Sequence, residues 1–335
     1  PRYVEVSFGN TCNFACAYCG PQYSSKWVEE IEKFGGYSTE HNFNSIDDIK
    51  ARNQMPYKQK DHNPYIEAFW KWWPDLFPDL HTFRITGGEP LLLKDTFKVL
   101  EYIQKHHNQN SKISLAVNTN LGVPDKLLDK FITIAKDLCE NGKVRELIIF
   151  TSVEATGAQA EYSRFGLKYE KFWSNVDKVL SELPKVTVNI MATYNALSVF
   201  TYSDLIDRVF EYKKKYANGQ RYWVSAIQLD TSYLRWPTHL SVKILTDEQK
   251  QLIYQSAVKA LYYGIKEFRG DNYGFSNVEI QKIKRLYDYA VGDTNFNVSK
   301  YRKDFVKFVD EYDTRRGTKF LETFPDFKEI YYENK

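Results

Sequence analysis

The sequence predicts an α/β fold: a partial (β/α)6 barrel of TIM-like type with parallel strands, followed by a C-terminal helical appendage. Three observations predict it. Six apolar, β-branched runs alternate with stretches of helical period over the first two thirds of the chain. A helix between each pair of strands makes parallel pairing with right-handed crossovers the expected arrangement. After about Thr246 helical runs follow one another with no strand between them. Six units suit an open, partial barrel better than a closed eight-stranded one.

The first strand is Tyr3–Phe8, and a cysteine-bearing loop follows it at once. Between Val28 and Pro78 lies the first crossover helix, rich in aromatics at Phe69-Trp70-Lys71-Trp72-Trp73 and enlarged by an insertion over about 38–62. Phe83–Thr86 is the second strand, with a helix near Lys94–His107. Lys112–Thr119 and a helix near Pro124–Glu140 come next, then Val144–Ser152 and a helix near Lys168–Glu182. Lys185–Ala192, a helix near Tyr202–Tyr216 and the strand Tyr222–Leu229 complete the series. Helices at Asp247–Gly264, Ser276–Val291 and Ser299–Arg315 form the appendage. The predicted division is therefore 1–240 for the barrel and 245–335 for the helical extension.

Bulk properties narrow the function classes. Of 335 residues, 43% are hydrophobic, and no apolar run approaches the length of a membrane span. A net charge of +3 is nearly neutral for this size, so composition gives no argument for nucleic-acid or membrane binding. The 25 Tyr, 22 Phe and 7 Trp are expected mainly in the core. Four cysteines, three of them clustered, fit a reducing cytoplasm rather than a disulfide framework. The first residue is Pro1 and a strand begins at once, so an N-terminal piece is expected outside this numbering.

The cysteines carry the chemistry. Cys12-Asn-Phe-Ala-Cys16-Ala-Tyr-Cys19 places three thiols on one tight loop. Three thiolates can hold three irons of a [4Fe–4S] cube and leave the fourth iron open to a small molecule. The alternative is structural zinc with a histidine as fourth ligand. Zinc knuckles usually pair two short clips, and the sequence offers no second one: Cys139 stands apart and the six histidines are scattered.

About seventy residues on, Phe83-Arg-Ile-Thr-Gly-Gly-Glu-Pro-Leu-Leu-Leu93 reads as a strand ending in a tight turn. Gly87 and Gly88 lack Cβ atoms and permit a close approach to the backbone, Glu89 offers a carboxylate, and Pro90 fixes the exit. An ordinary strand-to-helix turn is the plain reading of this segment alone.

Together, the CxxxCxxC loop with Tyr18 before its third cysteine and the GGEP turn resemble the radical S-adenosylmethionine (SAM) superfamily. Further stretches resemble twitch-type radical SAM proteins of phages and marine bacteria: Pro1–Val6, Tyr162–Phe172, Tyr194–Phe200, Asp313-Thr-Arg-Arg-Gly-Thr-Lys-Phe320 and Phe324–Phe327. The chain departs from relatives with auxiliary clusters in lacking their extra cysteines, and Cys139 is expected to be a structural thiol. The resemblance implies Cys12, Cys16 and Cys19 as cluster ligands and SAM on the open iron. It implies Gly87, Gly88 and Glu89 at the methionyl amino group and Arg164 at the SAM carboxylate, where a guanidinium fork suits the partner. Asn118, Thr119, Ser152 and Glu154, at the ends of the third and fourth strands, are candidates for ribose and methionyl contacts. Asn189 and Asn195 are candidates for adenine or ribose.

The implied activity is reductive cleavage of SAM at the [4Fe–4S] cluster. A one-electron reductant such as flavodoxin or ferredoxin would supply the electron, and the 5′-deoxyadenosyl radical would take hydrogen from a substrate. Peptide, carbohydrate and nucleotide derivatives are all compatible, with a tilt toward peptide. Two alternatives stand beside it: an activase that places a glycyl radical on a partner protein, and a non-catalytic metal- or cluster-binding protein.

Overall fold

The computed structural model describes residues 1–335 except 41–42, 59–60, 218–224, 265–272 and 293–294. Chain order begins with β1 (Tyr3–Ser7), a two-residue β2 (Ala15–Cys16), α1 (Ser25–Phe34), α2 (Ile46–Ala51), α3 (Pro64–Leu76) and β3 (Thr82–Thr86). It continues with α4 (Lys94–His106), β4 (Ser114–Asn118), α5 (Asp125–Glu140), β5 (Glu146–Ser152), α6 (Gly157–Ser163) and β6 (Arg164–Phe165). The last units are α7 (Tyr169–Glu182), β7 (Thr187–Tyr194), α8 (Tyr202–Lys215) and β8 (Ile227–Tyr233). Among the described residues six strands form one sheet in the order β1-β3-β4-β5-β7-β8. Every pairing in it is parallel. Each strand lies beside its predecessor, as in a partial TIM-like barrel; a doubly wound sheet would reverse its order.

The faces of the sheet differ in chemistry. Phe83 and Ile85 of β3 and Val188 and Ile190 of β7 are fully buried. Phe83 packs on Phe69 and Trp73 of α3, so part of the predicted aromatic run is core. The opposite face is polar and centred on Arg84. Its Nε donates to Asn118 Oδ1 (3.0 Å), and its guanidinium lies 4.2 Å from the Phe150 ring centroid and 3.9 Å from Glu5.

The free edge of β8 is closed by side chains. Lys213 of α8 donates to Ile227 O (3.0 Å) and pairs with Glu279 (2.9 Å), while Glu279 accepts the Leu229 N–H (2.8 Å). These bonds satisfy backbone groups that a seventh strand would otherwise pair.

Glu279 belongs to the helical segment that follows, α9 (Asp247–Tyr262), α10 (Asn277–Val291), α11 (Val298–Arg316), α12 (Phe320–Thr323) and α13 (Lys328–Glu333). Capping boxes start two of these helices, Thr246 with Gln249 and Ser276 with Glu279. Among the described residues no helix is long and apolar enough to cross a membrane.

Two sequence expectations shift. The last strand lies at Ile227–Tyr233 rather than Tyr222–Leu229, and residues 222–224 fall outside the described ones. Asp230 sits inside β8, where Lys282 of α10 pairs with it (2.7 Å). The stretch before Arg164 is a short helix, α6, which the sequence did not signal.

Candidate cluster and cofactor site

The loop Gly9–Gly20 leaves the C-terminal end of β1, where barrel sites form. Its backbone is tied down from several directions. The Cys19 N–H donates to Cys16 O (2.9 Å), and the Ala17 N–H donates to Ser163 O (2.7 Å). The Trp27 indole N–H donates to Cys16 O (2.9 Å) and the Ser24 hydroxyl to Phe14 O (2.7 Å). Asn120, which sequence reasoning missed, directs its Nδ2 to Asn13 Oδ1 (2.8 Å) and lies 3.9 Å from Cys12 Sγ.

The GGEP turn docks directly on this loop. Gly88 N–H donates to Gly9 O (3.0 Å) and Glu89 N–H to Thr11 O (2.7 Å). A Cβ on Gly88 would stand 2.5 Å from both Asn10 O and Thr11 O, and one on Gly87 (φ +122°) 2.6 Å from Gly9 O. The glycines are thus required by the cysteine loop itself. Glu89 is fully buried and accepts from Leu91 N–H (3.0 Å), Thr119 Oγ1 (2.8 Å) and Asn120 N–H (2.6 Å). Burial raises its carboxyl to about 7 against the opposing pull of those donors. Three of roughly four acceptor positions on this carboxylate are therefore filled from the turn and the end of β4.

The strands β2 and β6 form a short antiparallel ladder that pairs Cys16 with Arg164. Arg164 Nε and Nη2 both lie 2.7 Å from Glu154 Oε2, and Nη1 lies 3.8 Å from Cys16 Sγ. Glu154 also accepts from the hydroxyls of Tyr18 (3.2 Å) and Ser163 (3.0 Å). Burial works against the Arg164 cation, but the Glu154 carboxylate holds its pKa above the ordinary value. Tyr18, Glu154 and Arg164 therefore form one buried network behind Cys16, with two of the arginine's nitrogens committed to it.

The remaining candidates lie elsewhere. Asn118 accepts from Arg84 at the lumen. Ser152 pairs in register with Met191, whose sulfur receives Arg84 (3.8 Å), so it faces the same lumen. Asn189 Oδ1 is buried without a partner among the described residues and lines a cavity of about 250 Å³ with Gln228, Asp230 and Lys282. Asn195 is buried and caps a helical turn through Leu197 N–H (2.9 Å). Cys139 ends α5, next to the carboxy-terminal turn that precedes β5, and so sits at the opposite end of the barrel from the cysteine loop.

The donor set fits an iron–sulfur cluster. Burial raises the Cys12 thiol to about 12 and also raises Cys16 and Cys19. Buried thiols become thiolates only beside compensating positive charge, which bound iron supplies. On the outer side a cavity of about 840 Å³ opens at Cys19, lined by Tyr18, Asn44, Asp48, Arg52 and Trp236. The 38–62 insertion forms part of that wall, and Asn44 Nδ2 donates to Cys19 O (3.0 Å).

Comparison with known proteins agrees with this geometry. The Radical SAM superfamily pattern matches residues 6–195, more than half of the chain. GTP 3′,8-cyclases of Campylobacter jejuni subsp. doylei and of Campylobacter jejuni subsp. jejuni are each 26% identical over 194 residues. That match takes in 58% of this chain and 48% of each relative, so the chain spans about half the length of the curated relatives it matches. From the cysteine loop docked on the GGEP turn at the head of a six-stranded parallel sheet, and from this match, the chain belongs to the radical SAM superfamily of enzymes.

Proposed function

We propose that the chain binds a [4Fe–4S] cluster through Cys12, Cys16 and Cys19, binds SAM beside it, and cleaves SAM reductively. The supporting observation is the direct docking of the GGEP turn on the cysteine loop, which places a glycine-lined backbone edge against the loop that carries three partly buried thiols. When bound, the cluster and SAM supply a 5′-deoxyadenosyl radical able to take hydrogen from an unactivated C–H bond. The chain's own residues position and enclose. Glu89 locks the turn to the end of β4, and Arg164 with Glu154 fixes Cys16. Asn118, Ser152 and Asn189 are proposed to meet the nucleoside from the lumen.

The substrate reaches this site through the cavity at Cys19, and a peptide suits its walls. Aromatic Tyr18, Tyr23 and Trp236 stand among Gln22, Asn44, Gln54, Asp48 and Arg52. The name of the curated relatives raises a second reading, a purine nucleotide. A triphosphate asks for several free cations. Among the described lining residues Arg52 is the one cation and is paired with Asp48 (3.1 Å), while Glu40 is paired with Lys300 (3.0 Å). We therefore favour the peptide. Kinship with twitch-type proteins of phages and marine bacteria is proposed from the sequence stretches given above.

The test is formation of 5′-deoxyadenosine from SAM by the anaerobically reconstituted chain with dithionite. Product above a protein-free control supports the reading; a loaded cluster with no SAM turnover contradicts it.

A further inference from the structure

The Asp313–Phe320 stretch lies at the far end of the chain from the cysteine loop, yet it reaches that loop through Arg316. Resting on the cluster reading above, we propose that Arg316, at the end of α11, positions the loop and raises the reduction potential of the cluster bound there.

The geometry is specific. Arg316 Nη1 donates to Ala15 O (2.6 Å), the residue before Cys16, and Nε donates to Glu30 Oε2 (2.7 Å). The guanidinium is boxed in by aromatic rings, 3.9 Å from Tyr312, 4.7 Å from Trp27 and 5.2 Å from Phe165. Two of these rings belong to the cluster loop's own supports: Trp27 binds Cys16 O, and Phe165 pairs with Ala15. Its side chain is 2% exposed, and Nη2 is buried with no partner among the described residues. Burial of an arginine with an unfilled donor is costly, and the neighbouring loop is one that gains negative charge when thiolates bind metal.

The surrounding motif fixes this placement. Asp313 accepts from Tyr162 Oη (3.0 Å), Thr318 Oγ1 (2.7 Å) and Phe320 N–H (2.6 Å). Gly317 ends the helix in the left-handed region (φ +66°). Arg315 spans Glu311 (2.7 Å) and the Gly35 and Gly36 carbonyls (2.9 and 3.0 Å). Arg316 is thereby aimed at β2.

Adding one electron to a buried cluster adds negative charge, and a fixed nearby cation favours that state. Glu30 acts with the opposite sign on the same guanidinium. The experiment is an EPR-monitored redox titration of reconstituted wild type, Arg316→Gln and Glu30→Gln, each with iron and sulfide content measured first. Arg316→Gln is expected to lower the reduced-to-oxidised ratio at a fixed potential by about tenfold, or ~59 mV for a one-electron couple. Glu30→Gln is expected to raise it. Equal potentials, or shifts of the same sign in both loaded variants, overturn the proposal and leave a purely structural role. If Arg316→Gln fails to fold or load, Glu30→Gln decides alone: an upward shift supports the proposal, and no shift or a downward one overturns it. A wild-type chain that takes up no cluster overturns the underlying reading instead, and this proposal with it.

Discussion

Cys16 and Arg164 face each other across the two-residue ladder of β2 and β6, with Arg164 Nη1 3.8 Å from Cys16 Sγ and the rest of its fork on Glu154. The side chains of Arg164 and Glu154 are 7% and 1% exposed, so neither charge has water to fall back on. Removing one partner strands the other. Arg164→Met is expected to cost about 3–5 kcal/mol in urea unfolding of the cluster-free chain. The double variant with Glu154→Met is expected to recover most of that loss. A double variant whose loss equals the sum of the two single losses would show that the pair is not coupled.

Gly88 carries a steric prediction. A Cβ there meets two backbone carbonyls at 2.5 Å, and backbone cannot swing aside as a flexible side chain can. Gly88→Ala is expected to lose about 1–3 kcal/mol of stability and to reduce iron uptake. Gly142→Ala serves as control, since its φ of +62° strains the backbone but no atom lies within 4 Å. Normal iron uptake by Gly88→Ala would separate the turn from the cysteine loop.

Glu89 gives a pH dependence with a definite sign. Burial raises its folded-state pKa from 4.5 to about 7, so the folded chain holds this proton more tightly than the unfolded one. Its contribution is fully present below pH 4.5 and is lost as pH rises toward about 7. Over that window the slope approaches about −1.4 kcal/mol per pH unit. Glu89→Gln is expected to lack this slope, so its stability relative to the wild type rises as pH passes from 4.5 to about 7. Parallel stability–pH curves for the two cluster-free proteins would contradict the assignment.

The cysteines divide by position. Cys16→Ala is expected to abolish cluster uptake and SAM cleavage, whereas Cys139→Ala keeps both, because Cys139 lies at the far end of the barrel in α5. Iron and sulfide analysis with SAM cleavage assays checks both, and loss of the cluster in Cys139→Ala would defeat the ligand assignment.

Local pattern made much of this legible. α5, α7 and α8 begin and end within one residue of their sequence-read bounds, since amphipathic period and strand alternation are written over ten or more residues. The cysteine spacing and Gly87-Gly88-Glu89 are likewise local signals. What escaped is set by partners distant in sequence. Asn120 carries no local signal, and only the fold brings it to Asn13 and Cys12. Arg164 reads as a free fork because Glu154, ten residues earlier, joins it only through the α6 turn. Arg316 lies 301 residues from the Ala15 carbonyl it holds. The aromatic excess was legible as core, but not which rings would box Arg316.

The most direct measurement is EPR of the dithionite-reduced, anaerobically reconstituted chain with and without SAM. We expect a [4Fe–4S]⁺ signal that changes when SAM is added, since three protein thiolates leave one iron open to it. A cluster signal indifferent to SAM, or bound zinc in place of iron, would contradict a SAM-binding cluster at Cys12, Cys16 and Cys19.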